Sequence, residues 1–154
     1  MKTKILLVLA LCLTGCREPL DKHIVAQNSA DNEKAVLKCK SELSEDDYRY
    51  FIEAYSVLFR RLGQGCTAEE KNELVMYWTD GMTPRQIIIT GHILKINELE
   101  ESLHRTDRAV SDTPEVVRGQ KDVARVIIEA YLNRGPKYQQ PHLIKVDLAP
   151  EAKK

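Results

Sequence analysis

The chain has 154 residues, and its 23 Lys and Arg residues balance 23 Asp and Glu residues. This length suits one domain that buries a hydrophobic core of its own. Because neither sign of charge is in excess, the chain lacks the basic field that holds nucleic-acid phosphates, so we exclude nucleic acid as a partner. A charged fraction of 30% beside a hydrophobic fraction of 43% is typical of an ordinary folded domain.

The first fifteen residues have the layout of a bacterial export signal. Lys2 and Lys4 provide a positively charged start, and an apolar run over residues 5–13 follows them. That run is about half the length of the ~20 apolar residues that cross a bilayer, and charged residues 17–18 end it. We therefore predict a cleaved signal peptide over residues 1–15 and not a transmembrane helix.

The stretch Leu13-Thr14-Gly15-Cys16 resembles the lipobox of bacterial lipoproteins, in which an aliphatic residue and two small residues precede a cysteine. In that family the thiol receives a diacylglyceryl group, the chain is cut before the cysteine, and the new amino terminus is acylated. The resemblance implies lipidation of Cys16 and attachment to a membrane. Because Arg17 follows the cysteine where an Asp would retain the protein in the inner membrane, it further implies the outer membrane of a Gram-negative cell, facing the periplasm. The alternative is an ordinary secretory signal, which would favour an A-x-A-like cleavage site.

Residues 16–30 are interpreted as the lipidated N-terminus and a flexible tether, because they show no sustained hydrophobic period. As a coil, about 14 residues span roughly 20 Å, which would keep the domain close to its membrane. A short strand over residues 23–26 is the alternative, and it would fasten the tether to the domain.

From residue 31 onward, apolar residues recur at steps of three and four, the spacing of helices that bury one face. We predict helices over residues 31–43, 44–62, 67–78, 83–104 and 120–133. Ser44, Thr67 and Thr83 are placed as N-caps of the second, third and fourth helices. Gly91 lies inside the fourth helix, where it costs about 1 kcal/mol relative to alanine, so we expect it to mark a close helix crossing. The inward face of the last helix is predicted to hold Val123, Val126, Ile127, Ala130 and Tyr131.

The remaining segments are less regular. Residues 105–119 predict a loop, with the stretch 112–114 as its turn signal. Residues 144–148 alternate apolar and charged side chains, which is typical of a strand, and residues 151–154 are expected to fray. The fold prediction is therefore a mainly α-helical domain over residues 31–150, a small bundle of about four to five helices. Whether the domain also contains one short strand pair is left undecided by the sequence.

A second resemblance covers roughly the first half of the mature chain. The order SADNEKAVLKCKSELSEDDYRYFIEAYSVL, followed by DGMTPRQII, is similar to a family of small bacterial lipoproteins of unknown function. The shared positions are helix caps and core residues. The resemblance therefore implies a location and a helical architecture, and it carries over no active-site residue.

A glycine-containing stretch, GQGCTA over residues 63–68, matches a relaxed dinucleotide-binding fingerprint, with Asp80 downstream. The fingerprint works only between a strand and a helix, where the helix N-terminus meets the pyrophosphate. Here the strongest predicted helix of the chain precedes it. We interpret the stretch as a helix-to-helix turn and predict no cofactor.

Three side chains of the fourth helix are candidates for chemistry. Glu101 and His104 have the i, i+3 spacing of carboxylate-bridged metal sites, but such sites need a second copy on another helix, which the sequence lacks. We predict no metal and no catalytic residue. His92 next to Gly91 could line a small pocket, although a half-buried structural histidine is the default.

Cys39 and Cys66 are the thiols left after processing at Cys16. The oxidising periplasm favours a disulfide between them. A helix of about 18 residues separates them by roughly 27 Å, however, whereas bridged Cα atoms lie within about 7 Å. The pairing stays open, and free thiols are the favoured alternative.

These observations predict a lipid-anchored protein of the cell envelope that works as a non-enzymatic binding or interaction module, with an envelope protein as one possible kind of partner. An apolar groove between helices would support that role. The alternative is a small periplasmic enzyme or ligand-binding protein, which would bring His92, Glu101 or His104 together in one pocket.

Overall fold

The computed structural model describes residues 18–104 and 113–137. It contains five α-helices, and no strand occurs in these two ranges. The helices are α1 (Ser29–Glu42), α2 (Glu45–Leu62), α3 (Ala68–Thr79), α4 (Pro84–His104) and α5 (Pro114–Asn133), preceded by one turn of 3-10 helix over Pro19–Asp21. The predicted mainly α-helical bundle is confirmed. The predicted signal peptide and the strand over residues 144–148 lie outside the described residues.

Side-chain caps explain where the middle helices begin. The Ser44 hydroxyl accepts the backbone N–H three residues later, at 3.2 Å. Thr67 and Glu70 form a complete capping box, in which each side chain accepts the other's backbone N–H. Thr83 and Gln86 repeat this arrangement at 3.2 and 2.8 Å. Because a cap satisfies N–H groups that the helix itself leaves unpaired, these starts lie where they were predicted.

Two helix starts differ from the prediction. α1 begins at Ser29 and not at residue 31, because Asn28 accepts the Asp31 backbone N–H at 2.9 Å and acts as its cap. α5 begins at Pro114, so the predicted loop over residues 105–119 is wrong from residue 114 onward. Threonine followed by proline is a cap and a first helical residue here, as it is at the start of α4, and not a turn signal.

Helix α4 is the centre of the bundle. It packs against α2 on one side and against α5 on the other, while α3 and α1 pack on α2. Because α4 is covered on two sides, it is apolar around most of its circumference near its start. The fully buried core residues of α2 and α4 are Phe51, Ala54, Leu58, Ile87, Ile88 and Ile89.

The crossing of α2 and α4 is close at Gly91. A Cβ atom added to Gly91 would lie 2.5 Å from the Ala54 Cβ and 2.5 Å from the Ala54 carbonyl oxygen. Real Cβ atoms do not approach other heavy atoms so closely, so only glycine fits here without a shift of one helix. The predicted close helix crossing is confirmed.

The apolar face of α5 differs from the predicted one. Val123 and Val126 are 59% and 66% exposed and Ala130 is also exposed, although all three were predicted to face inward. The buried face holds Val117, Ala124, Ile127 and Tyr131. The helix carries two adjacent apolar stripes and α4 covers one of them, so periodicity alone did not show which stripe is buried.

The segment before α1 lies on the bundle. Leu20, Ile24 and Ala26 are buried, so the predicted flexible tether is wrong for the described residues from 19 to 26. The Ile24 N–H donates to the Met82 carbonyl at 2.7 Å, and the Gly81 N–H donates to the Ile24 carbonyl at 2.7 Å. The alternative, a short strand over residues 23–26, is not found either, because the segment is fastened by burial and backbone hydrogen bonds without forming a strand.

Candidate functional site

Of the three side chains proposed for an enzymatic pocket, His92 and Glu101 are not brought together. His92 is fully buried, whereas Glu101 lies nine residues further along α4, about 13 Å along the helix axis. Glu101 is exposed and forms an ion pair with Arg61 at 2.6 Å. His104 is the last residue of α4, and its side chain lies outside the described part of the chain. Within the described part, His92 and Glu101 therefore do not share a cavity.

His92 is a neutral residue of the core. Its Nδ1 lies 2.8 Å from the Ile88 carbonyl oxygen, so Nδ1 carries the hydrogen, and its Nε2 has no hydrogen-bond partner among the described residues. The nearest carboxylate, on Glu53, is 3.9 Å from Nε2. Burial lowers the pKa of His92, and the hydrogen bond to Ile88 and the charge of Glu53 only partly oppose that effect.

This environment predicts a pH-dependent stability. The unfolded chain takes up a proton at His92 near pH 6.5, whereas the folded chain does so only at lower pH, because its pKa is lowered. The free energy of unfolding should therefore be highest above about pH 7 and fall toward pH 5, with up to ~1.4 kcal/mol per pH unit from this group. Urea unfolding at pH 7, 6 and 5 gives the free energy of unfolding at each pH. This free energy should change less with pH in His92→Leu than in the parent chain, and an equal pH dependence would refute the assignment.

The two thiols are free and lie apart. Cys39 is buried and Cys66 is half-buried in the turn after α2. The 18 residues of α2 separate them, as the helix-length argument requires. Burial raises the pKa of Cys39 to about 11, and the neighbouring Glu42 adds to that effect, so its reactive thiolate is suppressed. Cys16 lies outside the described residues.

Where residues are described, no group of three or more His, Cys, Asp or Glu side chains could hold a metal ion.

A groove lies between α1, α2 and α3, with a cavity volume of about 480 Å³. Asn32 and Tyr55 line it together with apolar walls from Val36, Leu37 and Phe59. This volume lies within the range of pockets that hold small molecules. Polar and apolar side chains contribute to the lining in similar measure.

The polar side chains of the groove differ in burial: Asn32 is buried and Tyr55 half-buried, whereas Glu33 and Asn72 are exposed. Asn32 is 7% exposed, and its Nδ2 donates to the Tyr55 hydroxyl at 2.7 Å. The Asn32 Oδ1 is buried and has no hydrogen-bond partner within the described ranges. Burial raises the pKa of Tyr55 and the hydrogen bond from Asn32 only partly opposes this, so the phenol is neutral. Asn32 therefore carries an unpaired acceptor that is closed off from solvent, next to a neutral hydroxyl.

Sequence reasoning did not identify this groove. The apolar spacing of α2 predicts Tyr55 as a core residue, and no motif marks Asn32. A signal was present, because Asn32 lies on the same helical face as Ala35, Val36 and Cys39. Burying a polar side chain without a hydrogen bond destabilises the folded state. A polar residue at a core position is therefore a candidate for a functional role.

A second polar cluster fastens one end of the bundle. Asp47, at the start of α2, is 4% exposed and accepts hydrogen bonds from the Tyr131 hydroxyl at 2.5 Å and from Arg134 at 2.6 Å. Arg134 also contacts Glu18 at 2.9 Å. These contacts join α2, α5 and the N-terminal segment. Because Asp47 is hydrogen-bonded to both Tyr131 and Arg134, we assign the cluster a structural role.

Arg85 fastens the same end of the molecule from α4. It is buried, forms an ion pair with Asp21, and donates to the Arg134 carbonyl at 2.9 Å. A buried guanidinium needs such partners, since an unpaired charge in the core is strongly destabilising. The 3-10 turn and the end of α5 are therefore held to the start of α4.

No family model, characterised protein or solved structure matches this chain. In the described part of the chain, no helix has both the length and the apolar character that crossing a bilayer requires. The function is therefore inferred from the N-terminal sequence and from the groove between α1, α2 and α3.

Proposed function

We propose that this chain is a lipid-anchored binding module of the bacterial cell envelope, which holds a ligand or partner and does not catalyse a reaction. The stretch Leu13-Thr14-Gly15-Cys16 supports an anchor at Cys16 after removal of residues 1–15. Arg17 supports the outer membrane of a Gram-negative cell, facing the periplasm. The observation that carries the binding role is the groove of about 480 Å³ between α1, α2 and α3.

The side chains whose chemistry is best suited to catalysis have structural roles. His92 is neutral and buried, Asp47 is engaged by hydrogen bonds, and the Cys39 thiolate is suppressed by burial. None of these three residues lines the groove. Glu33 is the one carboxylate among the lining residues, and neither a thiol nor an imidazole accompanies it, which supports binding over catalysis.

The fold also indicates how an anchor would hold the domain. Glu18 contacts Arg134, and Leu20 is buried, so packed structure begins within a few residues of Cys16. Lipid on Cys16 would therefore hold the folded domain directly against the bilayer. The end of the bundle that carries Arg134 would face the membrane.

Lipidation is tested by expressing the full chain in a Gram-negative host. The parent chain and a matched Cys12→Ser variant should both mature to an N-terminal Cys16 that carries acyl chains, and both should sediment with membranes. Because the thiol is the attachment point, Cys16→Ser should lose the acyl mass and remain unprocessed. Intact-mass spectrometry of the purified proteins gives the result.

An unmodified thiol on Cys16 in the purified parent would overturn the anchor. So would a Cys16→Ser chain that is cut at the same bond and still sediments with membranes. Cys12 lies in the segment that processing removes, so its replacement controls for general damage to the signal.

A further inference from the structure

We propose that two copies of this chain pair through an exposed apolar stripe of α5, with their α5 helices side by side and parallel. The stripe consists of residues 116, 119, 123, 126, 130 and 133. Val116, Val123 and Val126 are 44%, 59% and 66% exposed, although valine is normally a buried residue. This inference goes beyond binding at the groove, and it rests on the proposed anchor at Cys16.

The spacing of the stripe is that of a helix that packs against a second helix. Its residues follow one another at alternating steps of three and four, as the a and d positions of a heptad do. Val116 and Val123 occupy a positions, and β-branched residues at a are typical of two-stranded pairs. Helix α4 covers the neighbouring apolar stripe of α5, so this one is left facing solvent among the described residues.

The charges beside the stripe favour parallel helices. Acidic residues occupy the g positions at one edge of the stripe, and all of them are exposed: Glu115, Asp122 and Glu129. Antiparallel helices would place the acidic rows of the two copies against each other, which destabilises pairing. Parallel helices place each acidic row against the e positions of the other copy, which hold no acidic residue: Gln120, Ile127 and Arg134.

The anchor favours the same direction. Helices α4 and α5 are antiparallel, because Arg85 at the start of α4 donates to the Arg134 carbonyl and Lys121 contacts Glu100 near the other end of α4. The C-terminal end of α5 therefore lies at the end of the bundle that would face the membrane. Two copies held in one leaflet by that end are related by a two-fold axis along the membrane normal, which makes their α5 helices parallel.

The stripe is small, so confinement by the membrane decides whether the copies pair. It is about 26 Å long and one helix wide, which gives roughly 300 Å² of contact on each copy. Stable interfaces bury about 800 Å² on each partner, so two copies in dilute solution would separate readily. Lipid on Cys16 would hold many copies at a high local concentration, at which a weak contact forms.

Cysteine cross-linking in membranes tests the pairing. Full chains that carry Cys66→Ser and one added cysteine are expressed in a Gram-negative host, and the isolated membranes are oxidised with copper phenanthroline. Cys39 stays in place because burial suppresses its thiolate, and the Cys66→Ser chain alone gives the background. Val116→Cys and Val126→Cys should each give at least about fivefold more disulfide-linked dimer than Arg125→Cys, because bridged Cα atoms lie within about 7 Å.

Arg125 is the matched control, because its side chain is 57% exposed on the same helix and lies off the stripe. The two stripe sites also report the direction of pairing. In parallel helices each stripe residue meets its own counterpart, so both sites cross-link. Antiparallel helices that brought the two Val126 positions together would hold the two Val116 positions about 30 Å apart.

A charge placed on the stripe tests what drives the pairing. Val126→Glu, added to the Val116→Cys chain, should lower the dimer yield at least about fivefold, because it puts two carboxylates into the contact. Leu132→Glu is the matched control, since Leu132 is 40% exposed on another face of α5, and it should leave the yield unchanged. Circular dichroism of the purified chains shows that each variant keeps its helices.

Equal dimer yields at Val126 and Arg125, or a cross-link at only one of the two stripe sites, would overturn the parallel pair. A cross-linked product whose mass is not twice that of the chain would assign the stripe to a different protein and would also overturn it. The anchor is read separately from the mass at Cys16, so an acylated chain that does not cross-link refutes the pairing alone.

Discussion

Replacing Gly91 with alanine should lower the free energy of unfolding by at least about 2 kcal/mol, although alanine is the better helix former. The added methyl group would lie 2.5 Å from the Cβ and the carbonyl oxygen of Ala54, so α2 and α4 would have to move apart. Overpacking of this kind typically costs about 1–3 kcal/mol and more where backbone is met. The gain of about 1 kcal/mol in helix propensity does not offset it. Urea denaturation gives the difference.

Gly119 provides the matched control, because it is also a glycine inside a helix. A Cβ atom added to Gly119 in α5 meets nothing within 4 Å. Gly119→Ala should therefore raise the free energy of unfolding by about 0.5–1 kcal/mol. If both variants were stabilised, the close crossing of α2 and α4 at Gly91 would be refuted.

Removing the Asp47 carboxylate should lower the free energy of unfolding about as much as Gly91→Ala does. Asp47→Ala leaves the buried Tyr131 hydroxyl without its acceptor and takes away one of the two carboxylate partners of Arg134. Loss of a buried, charge-assisted hydrogen-bond group of this kind costs about 3 kcal/mol. Chemical denaturation at pH 7 measures the change, and a cycle with Tyr131→Phe should give a coupling energy of about 1–2 kcal/mol.

Asp46 is the control for Asp47. It lies in the same first turn of α2 and also faces the positive end of the helix dipole, but its side chain is 76% exposed. Asp46→Ala should cost less than about 1 kcal/mol. Equal effects of the two substitutions would show that the helix N-terminus, and not the buried cluster, determines the result.

The contribution of Asp47 should also depend on pH. Burial alone would raise the pKa of Asp47, but hydrogen bonds from Tyr131, Ser44 and Arg134 outweigh it and hold the pKa below its usual value. A carboxyl with a lowered folded pKa stabilises fully above its unfolded pKa of about 3.9, and the contribution is lost as the pH falls through the folded pKa. The difference in stability between the parent and Asp47→Ala should thus narrow below about pH 4, and a constant difference from pH 7 to pH 2 would contradict this.

Local signals in the sequence determined the helix starts of the middle of the chain. Ser44, Thr67 and Thr83 cap their helices within three residues of their own positions, so no distant contact is needed to place them. The same local rule explains the start of α5 at Pro114, which was misread as a turn. Gly91 also indicated a close crossing, since a glycine inside a helix needs a compensating contact.

Contacts between distant parts of the chain decided the rest. Asn32 and Tyr55 lie 23 positions apart, and each looked like an ordinary residue of its own helix until α1 and α2 were placed side by side. Which apolar stripe of α5 is buried, and whether residues 19–26 lie on the bundle, depended equally on where α4 sits. Burial is a property of the packed helices, and spacing along one helix shows which residues share a face but not what covers that face.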